Sequence, residues 1–288
     1  MKSKYGLLAL VLAFSIEPSA RLQATTTIDS VNKYSYGANI GWEDWTGDTA
    51  NGVVLGQFFC SGYIYAANVG WISLGNGAPA NQIQYQNNSA SDFGVNHDGS
   101  GNLRGYGYGA NIGWLNFESQ GAPKIDLLTG NLSGYVWSAN CGWISLNNAQ
   151  AYVQTDTLSP GPLDSNGLPI AWELTYFGHT GVDSNADPDG DGMSNYQEYV
   201  AGTDPTSANS DLYISAIAEA SGPTVTLTWK STPTRLYYIL RTSSLAIPVW
   251  EDSGLGLISP NPGSTTTRSF TDTTGHYYRI KAVIPPGP

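Results

Sequence analysis

Four stretches of this chain repeat one phrase: "KYSYGANIGWEDW" (33–45), "GYIYAANVGWISL" (62–74), "GYGYGANIGWLNF" (105–117) and "GYVWSANCGWISL" (134–146). The Trp residues inside them, Trp42, Trp71, Trp114 and Trp143, are separated by 29, 43 and 29 residues. Tyr34 to Leu74 therefore aligns with Tyr106 to Leu146 at an offset of 72, without a gap. Self-similarity at a fixed spacing means that one small unit is used repeatedly and buries its apolar face against its own copies.

Each unit reads as a hairpin. In "YVWSAN", Tyr135 and Trp137 lie two apart and share a face, while Val136 and Ser138 take the other. The following Asn and Gly are the residues that most cheaply adopt a positive φ in a tight turn, and "WISL" returns as the second strand. A further strand is expected before each hairpin, as in "KIDLLTGNLSGY", where Thr129-Gly130-Asn131 supplies a turn. The polar insert "NQIQYQNNSASDFG" is read as a loop or an edge strand. Residues 25–157 are thus predicted to form a repeat antiparallel β domain, whose closure as a barrel, ring or sandwich the pattern leaves open.

The repeated aromatics have two readings. A recurrent ring beside a turn Asn and Gly is what a structural unit requires, and burying one ring removes roughly 150–250 Å² from water. On that ground Trp42, Trp71, Trp114 and Trp143 are read as core. The pairs Tyr34/Tyr36, Tyr63/Tyr65, Tyr106/Tyr108 and Tyr135/Trp137 are candidates for core or for a platform that stacks on sugar rings. Where the copies disagree, Glu43, Asp44 and Trp45 replace "ISL" or "LNF", and they are further ligand-binding candidates. Adjacent strand residues face opposite ways, so Glu43 and Asp44 make a poor acid–base pair for glycoside hydrolysis. Charge guarding an exposed strand edge is the reading adopted for them.

The chain of 288 residues is long enough for two or three domains, and only 12% of it is charged, with 34 Gly, 18 Tyr and nine Trp. That profile favours short strands and turns. A net charge of −11 argues against nucleic acid as a partner, because phosphate binding needs a basic stripe. Lys2 and Lys4 precede an apolar run from Gly6 to Ile16, followed by small residues at Ala20 and Ala24. This reads as a signal peptide over 1–24 that is cleaved after Ala24, the run being too short for a permanent span. Cys60 aligns with Leu132, and Cys141 with Ile or Val, so both read as buried apolar substitutes; an oxidising compartment also leaves a disulfide between them open.

Nine carboxylates fall between Gly161 and Asp211, in a stretch without Lys or Arg. Within it, "DPDGDGMSNYQE" fills the twelve-residue calcium-loop pattern. Asp187, Asp189 and Asp191 stand at positions one, three and five, and Gly192 makes the turn at six. Met193 offers its carbonyl at seven, Asn195 stands at nine, and Glu198 is the bidentate ligand at twelve. Hard Ca²⁺ wants six or more oxygens, and clustered carboxylates repel one another without a cation. A weaker loop lies upstream, with Asp164, Asn166, Leu168 and Glu173 at three, five, seven and twelve, but Pro162 at position one and Ile170 at nine bring no side-chain oxygen. Asp183 and Asn185 are added candidates. "LPIAWELTYFG" and "MSNYQEYVAG" read as short helices stopped by Gly178 and Gly202.

On these residues, "DSNGLPIAWELTYFG…DSNADPDGDGMSNYQEYVAGTDPTSANSD" resembles the bacterial thrombospondin type 3 calcium repeat, a module that commonly links domains of secreted bacterial proteins; Pro162 is its departure from the pattern. The region with "VTLTW", "YYILRTSSL" and "YYRI" resembles a fibronectin type III-like domain, and the "GYVWSANCGWISL" units resemble a repeat of bacterial exported proteins. The expected organisation is mainly β: the repeat domain, a helical calcium-binding linker over 158–211, a β-sandwich over 212–284 and a tail over 285–288. His97, His179 and His276 share no ligand spacing, and no nucleophile elbow, phosphate loop or zinc motif is found. The expectation is a non-catalytic, secreted, calcium-binding surface or matrix protein with an adhesive or structural role, partnered by polysaccharide or another cell-surface component. The alternatives are a carbohydrate-binding protein using the Tyr/Trp face and a glycoside hydrolase.

Overall fold

The computed structural model describes residues 26–287, apart from 49, 220–221 and 274–275. The expected signal peptide falls outside the described residues. The rest divides into two compact units, one running through Ala186 and the other covering Asp187–Ile284. The division falls inside the segment read as a linker.

In the first unit each repeat is a hairpin: β1 (Ile28–Gly37) with β2 (Gly41–Asp44), and β3 (Tyr63–Ala66) with β4 (Gly70–Ser73). After β5 (Val95–His97) come β6 (Leu103–Gly109) with β7 (Gly113–Asn116). The short strands β8 (Lys124–Ile125) and β9 (Leu132–Ser133) precede β10 (Tyr135–Ser138) and β11 (Gly142–Ser145). Neighbouring hairpins pair β2–β3, β4–β6 and β7–β10. The last hairpin then pairs with the first, Tyr36 opposite Ser145 and Gly37 opposite Ile144. Eight antiparallel strands therefore close into a barrel, with β5 on β6 and β12 (Val153–Thr155) on β1 outside the ring.

Eight strands leave an interior that side chains fill. Ile64, Ile72, Leu115, Val136 and Ile144 point inward, with Trp45, Leu74, Phe117 and Leu146 one step further from the turns. At the turn end, Ile40, Ile112 and Cys141 plug the mouth beside small inward residues. There is no room for larger ones: a Cβ on Gly37 would lie 2.7 Å from Ile40 Cγ1, and one on Gly109 2.8 Å from Ile112 Cγ1. The pattern of small against large is what a narrow barrel end requires.

The invariant turn residues have separate tasks. Gly41, Gly70, Gly113 and Gly142 take φ of 83°, 80°, 71° and 79°, where a Cβ is strained. The Asn residues do not share that conformation. Each reaches from its own turn to the neighbouring hairpin: Asn68 Nδ2 donates to Ile40 O, Asn111 to Val69 O, Asn140 to Ile112 O, and Asn39 to Cys141 O, all at 3.0 Å. The four bonds form a closed cycle around the barrel mouth.

Closure overturns three expectations. Trp42, Trp71, Trp114 and Trp143 are not core; they face outward and are 42–47% exposed. Glu43 does not guard an edge, since the closed ring offers none there; it occupies the inward position of Ile72, Leu115 and Ile144 and is 1% exposed, while Asp44 faces outward. Trp45, once a ligand candidate, is buried and donates from Nε1 to Ser35 Oγ at 2.8 Å. Cys60 and Cys141 are free and buried, so the disulfide reading is set aside in favour of the apolar one. Burial pushes the Cys60 thiol up to about 12.

Ser35 donates its hydroxyl to Glu43 Oε2, and Oε1 has no partner. Desolvation raises the Glu43 carboxyl from 4.5 to about 7, against the opposing Ser35 bond. The folded barrel thus holds a proton that the unfolded chain releases, and stability falls as pH rises between those two values. Glu43→Gln is expected to remove this loss, gaining up to roughly 3 kcal/mol over the parent at pH 8 and little at pH 4, read from melting at each pH. Asn68→Ala is expected to cost about 1 kcal/mol by leaving the Ile40 carbonyl without its donor, read by denaturant unfolding.

Beyond the barrel, α1 (Ile170–Tyr176) ends at Gly178, φ 71°, and α2 (Asn195–Ala201) at Gly202, φ 74°. The second unit adds two three-stranded sheets. One is β13 (Ile214–Glu219), β14 (Thr224–Lys230) and β17 (Thr265–Thr271); the other is β15 (Leu236–Thr242), β16 (Glu251–Asp252) and β18 (Tyr277–Val283). Leu227, Trp229, Tyr237 and Ile239 pack between them, which makes the predicted sandwich.

Candidate functional site

The strong loop opens the second unit. Asp187, Asp189 and Asp191 each bring a carboxylate oxygen within 4.8 Å of the others. The loop is wound by Asp side chains accepting backbone N–H groups: Asp187 from Gly190 (2.8 Å) and Gly192 (2.9 Å), and Asp191 from Met193 (2.7 Å). Asp189 Oδ2 and Asp191 Oδ2 are buried without a hydrogen-bond partner. Asn195 opens α2, fully buried. One turn on, Glu198 is also fully buried, and neither of its carboxylate oxygens has a partner. Burial first, then the charges of Asp189 and Asp191, push its carboxyl up to about 8. A buried carboxylate with two unmet oxygens, close enough to feel the charges of Asp189 and Asp191, next to a cluster of three Asp carboxylates, is a donor set that suits Ca²⁺.

This loop is built into a core. The Met193 side chain is buried in the sandwich, and its Sδ accepts from Leu212 N at 3.4 Å. Ser194 and Gln197 form a reciprocal capping box at the start of α2. Arg235 donates to the carbonyls of Val200 (2.8 Å) and Tyr199 at the other end, where its charge also complements the helix dipole. Position seven and the C-terminal end of α2 are therefore tied to the sandwich, so a cation bound there stabilises the whole unit.

The weaker loop is only partly assembled. Asp164 Oδ1 accepts from Asn166 N (2.8 Å) and Leu168 N (3.2 Å), and the Leu168 carbonyl accepts from Asp164 N (2.9 Å). Glu173 is completely buried; Oε1 accepts from Val182 N at 2.7 Å and Oε2 has no partner. Burial foremost, with Asp164 nearby, raises its carboxyl. Asp183 accepts from Asn185 N at 2.9 Å in a turn of the first unit, whereas Asp187 begins the second.

The remaining candidates are on the barrel's outer face. In each hairpin the Trp stands 4.8–5.0 Å, centroid to centroid, from one ring of the facing strand and 6.2–6.4 Å from the other. Tyr34, Tyr36, Tyr63, Tyr65, Tyr108, Tyr135 and Trp137 are exposed, and Tyr106 is half-buried. Four three-ring clusters thus surround the barrel, and Phe93 from the polar insert packs on the third, 5.1 Å from Trp114.

The fold is β-rich, and the loop has the form of a calcium-binding type. Residues 187–208 match the bacterial TSP3 repeat, a calcium-binding type typical of extracellular proteins. Comparison with curated proteins and with solved structures returned no match. Among the described residues, no helix is long and apolar enough to cross a membrane.

Calcium at a hundredfold excess over Kd is expected to stabilise the second unit by about 2.7 kcal/mol, and Glu198→Gln to abolish most of that shift, read as melting with calcium against EGTA. Calorimetric titration is expected to show a second, weaker event that Glu173→Gln removes while the strong one survives.

Proposed function

We propose that this chain is a non-catalytic, exported calcium-binding protein that adheres to polysaccharide at a bacterial surface or matrix through its barrel. One observation carries the adhesive reading: the repeated aromatics form four corresponding clusters on the outer face, exposed except for the half-buried Tyr106. Contiguous exposed apolar surface marks interaction sites, and rings with a polar edge suit the alternately apolar and hydroxylated faces of sugars. Calcium serves the second unit by linkage, holding its loop and sandwich as one folded body. That sandwich, with three strands in each sheet, supports the fibronectin type III-like reading of a spacer domain. The glycosidase alternative loses its carboxylate pair, because the barrel wall separates Glu43 inside from Asp44 outside.

Co-sedimentation of the full chain with insoluble polysaccharides tests the adhesive role. Trp71→Ala with Trp143→Ala is expected to lower the bound fraction about tenfold, as loss of two stacking rings predicts. Equal retention of parent and variant would overturn it.

A further inference from the structure

The strand register places a polar side chain between rings at every junction of two hairpins. Asn116 lies opposite Tyr106 within its hairpin and opposite Trp137 across the β7–β10 seam. Ser145 lies between Tyr135 and Tyr36 in the seam that closes the barrel. Ser73 lies between Tyr63 and Tyr108. In the fourth seam the equivalent residue is Asp44, between Tyr34 and Tyr65.

These polar groups are held on the face by local bonds. Asn116 Oδ1 accepts from Glu118 N at 2.6 Å, which commits its acceptor and keeps its amide N–H groups for a ligand. Ser145 donates to Asn147 O at 2.7 Å, which leaves its oxygen lone pairs as acceptors. Ser73 Oγ accepts from Gly75 N at 3.2 Å. Asp44 differs: it is ion-paired with Lys33 at 2.9 Å, and Lys33 Nζ also lies 5.2 Å from the Tyr34 ring centre.

We infer that the seams of Ser73, Asn116 and Ser145 are three equivalent subsites for neutral sugar residues. These subsites deepen the adhesive reading and rest on it. Each subsite offers two ring faces for the C–H surface of a pyranose and one uncharged hydrogen-bonding group between them for a hydroxyl. Charge selects the occupant. The three seam positions are themselves uncharged, and Glu118 beside Asn116 already accepts from Gly105 N at 2.9 Å, so the seams offer little to offset the desolvation of a uronate or an ammonium sugar. A neutral polymer presents the same hydroxylated ring at regular intervals, and three like subsites on one barrel engage it with avidity. The Asp44–Lys33 seam already satisfies its own polar groups, so it is not the fourth subsite.

Affinity electrophoresis of the full chain through gels containing neutral, acidic or amino polysaccharide tests this. Selective retardation by a neutral polymer is expected. Asn116→Asp keeps the acceptor for Glu118 N but removes the amide donor and adds charge. Combined with Ser145→Ala, it is expected to weaken retardation at least fivefold, whereas Asp44→Asn changes it less than twofold. Melting temperatures of the variants separate loss of binding from loss of fold. If Trp71→Ala with Trp143→Ala abolishes retardation while the seam variant leaves it intact, the seams are not the subsites and the adhesive reading stands. If the parent is retarded only by acidic polymer, or by none while it binds phosphatidylcholine vesicles or dimerises through the clusters, the inference is overturned.

Discussion

The structure of the first unit depends on one pairing, between the last hairpin of the repeat and the first. Tyr36 opposite Ser145 and Gly37 opposite Ile144 turn a row of four hairpins into a ring. An open row would carry two edges and one face without a cover; the ring has neither problem. The same closure is written a second time at the turns, where Asn39 bonds to the carbonyl of Cys141 just as the other three Asn bond to their neighbours. The two halves of the duplicated sequence meet twice, so the fourfold order of the barrel arises from a twofold repeat in the chain.

Once the ring is closed, inside and outside acquire different chemistry. Gly37, Gly109 and their equivalents must be small because the mouth is narrow. The repeated Trp and Tyr face outside, where each Trp is held between two rings of its own hairpin. One unit breaks the interior rule. Its Ser35, Glu43 and Trp45 occupy positions that are apolar in other copies and satisfy each other only in part, leaving one carboxylate oxygen unmet. A buried acid of this kind costs stability when ionised, which makes the first hairpin the least symmetrical element of the barrel.

The second unit solves a different problem with charge. Its calcium loop gathers carboxylates that repel one another, and the fold makes the repulsion worse by burying Glu198 completely. That arrangement is stable when a cation is part of it. The Met193 side chain in the sandwich core and the Arg235 bonds at the end of α2 make the loop an integral part of the C-terminal unit. The loop is thereby coupled to the integrity of a folded domain.

The hairpins, the turn glycines, the mainly β class and the acidic loop of Asp187, Asp189 and Asp191 were legible in the sequence, because each follows from local rules: alternation, positive φ, and a spacing of oxygens along one loop. The direction in which the repeated Trp residues face was not legible. Alternation says that Trp42 and Glu43 take opposite faces, but a residue's face becomes core only when the sheet curves one way, and curvature is set by the pairing of strands more than a hundred residues apart. The same limit hid the seams: Ser145 and Tyr36 become neighbours only in the closed ring. The sequence by itself determined the unit and the cation loop, both local in the chain. Tertiary closure decided which half of each unit is scaffold and which half is surface, because burial belongs to the assembled barrel and not to any one strand.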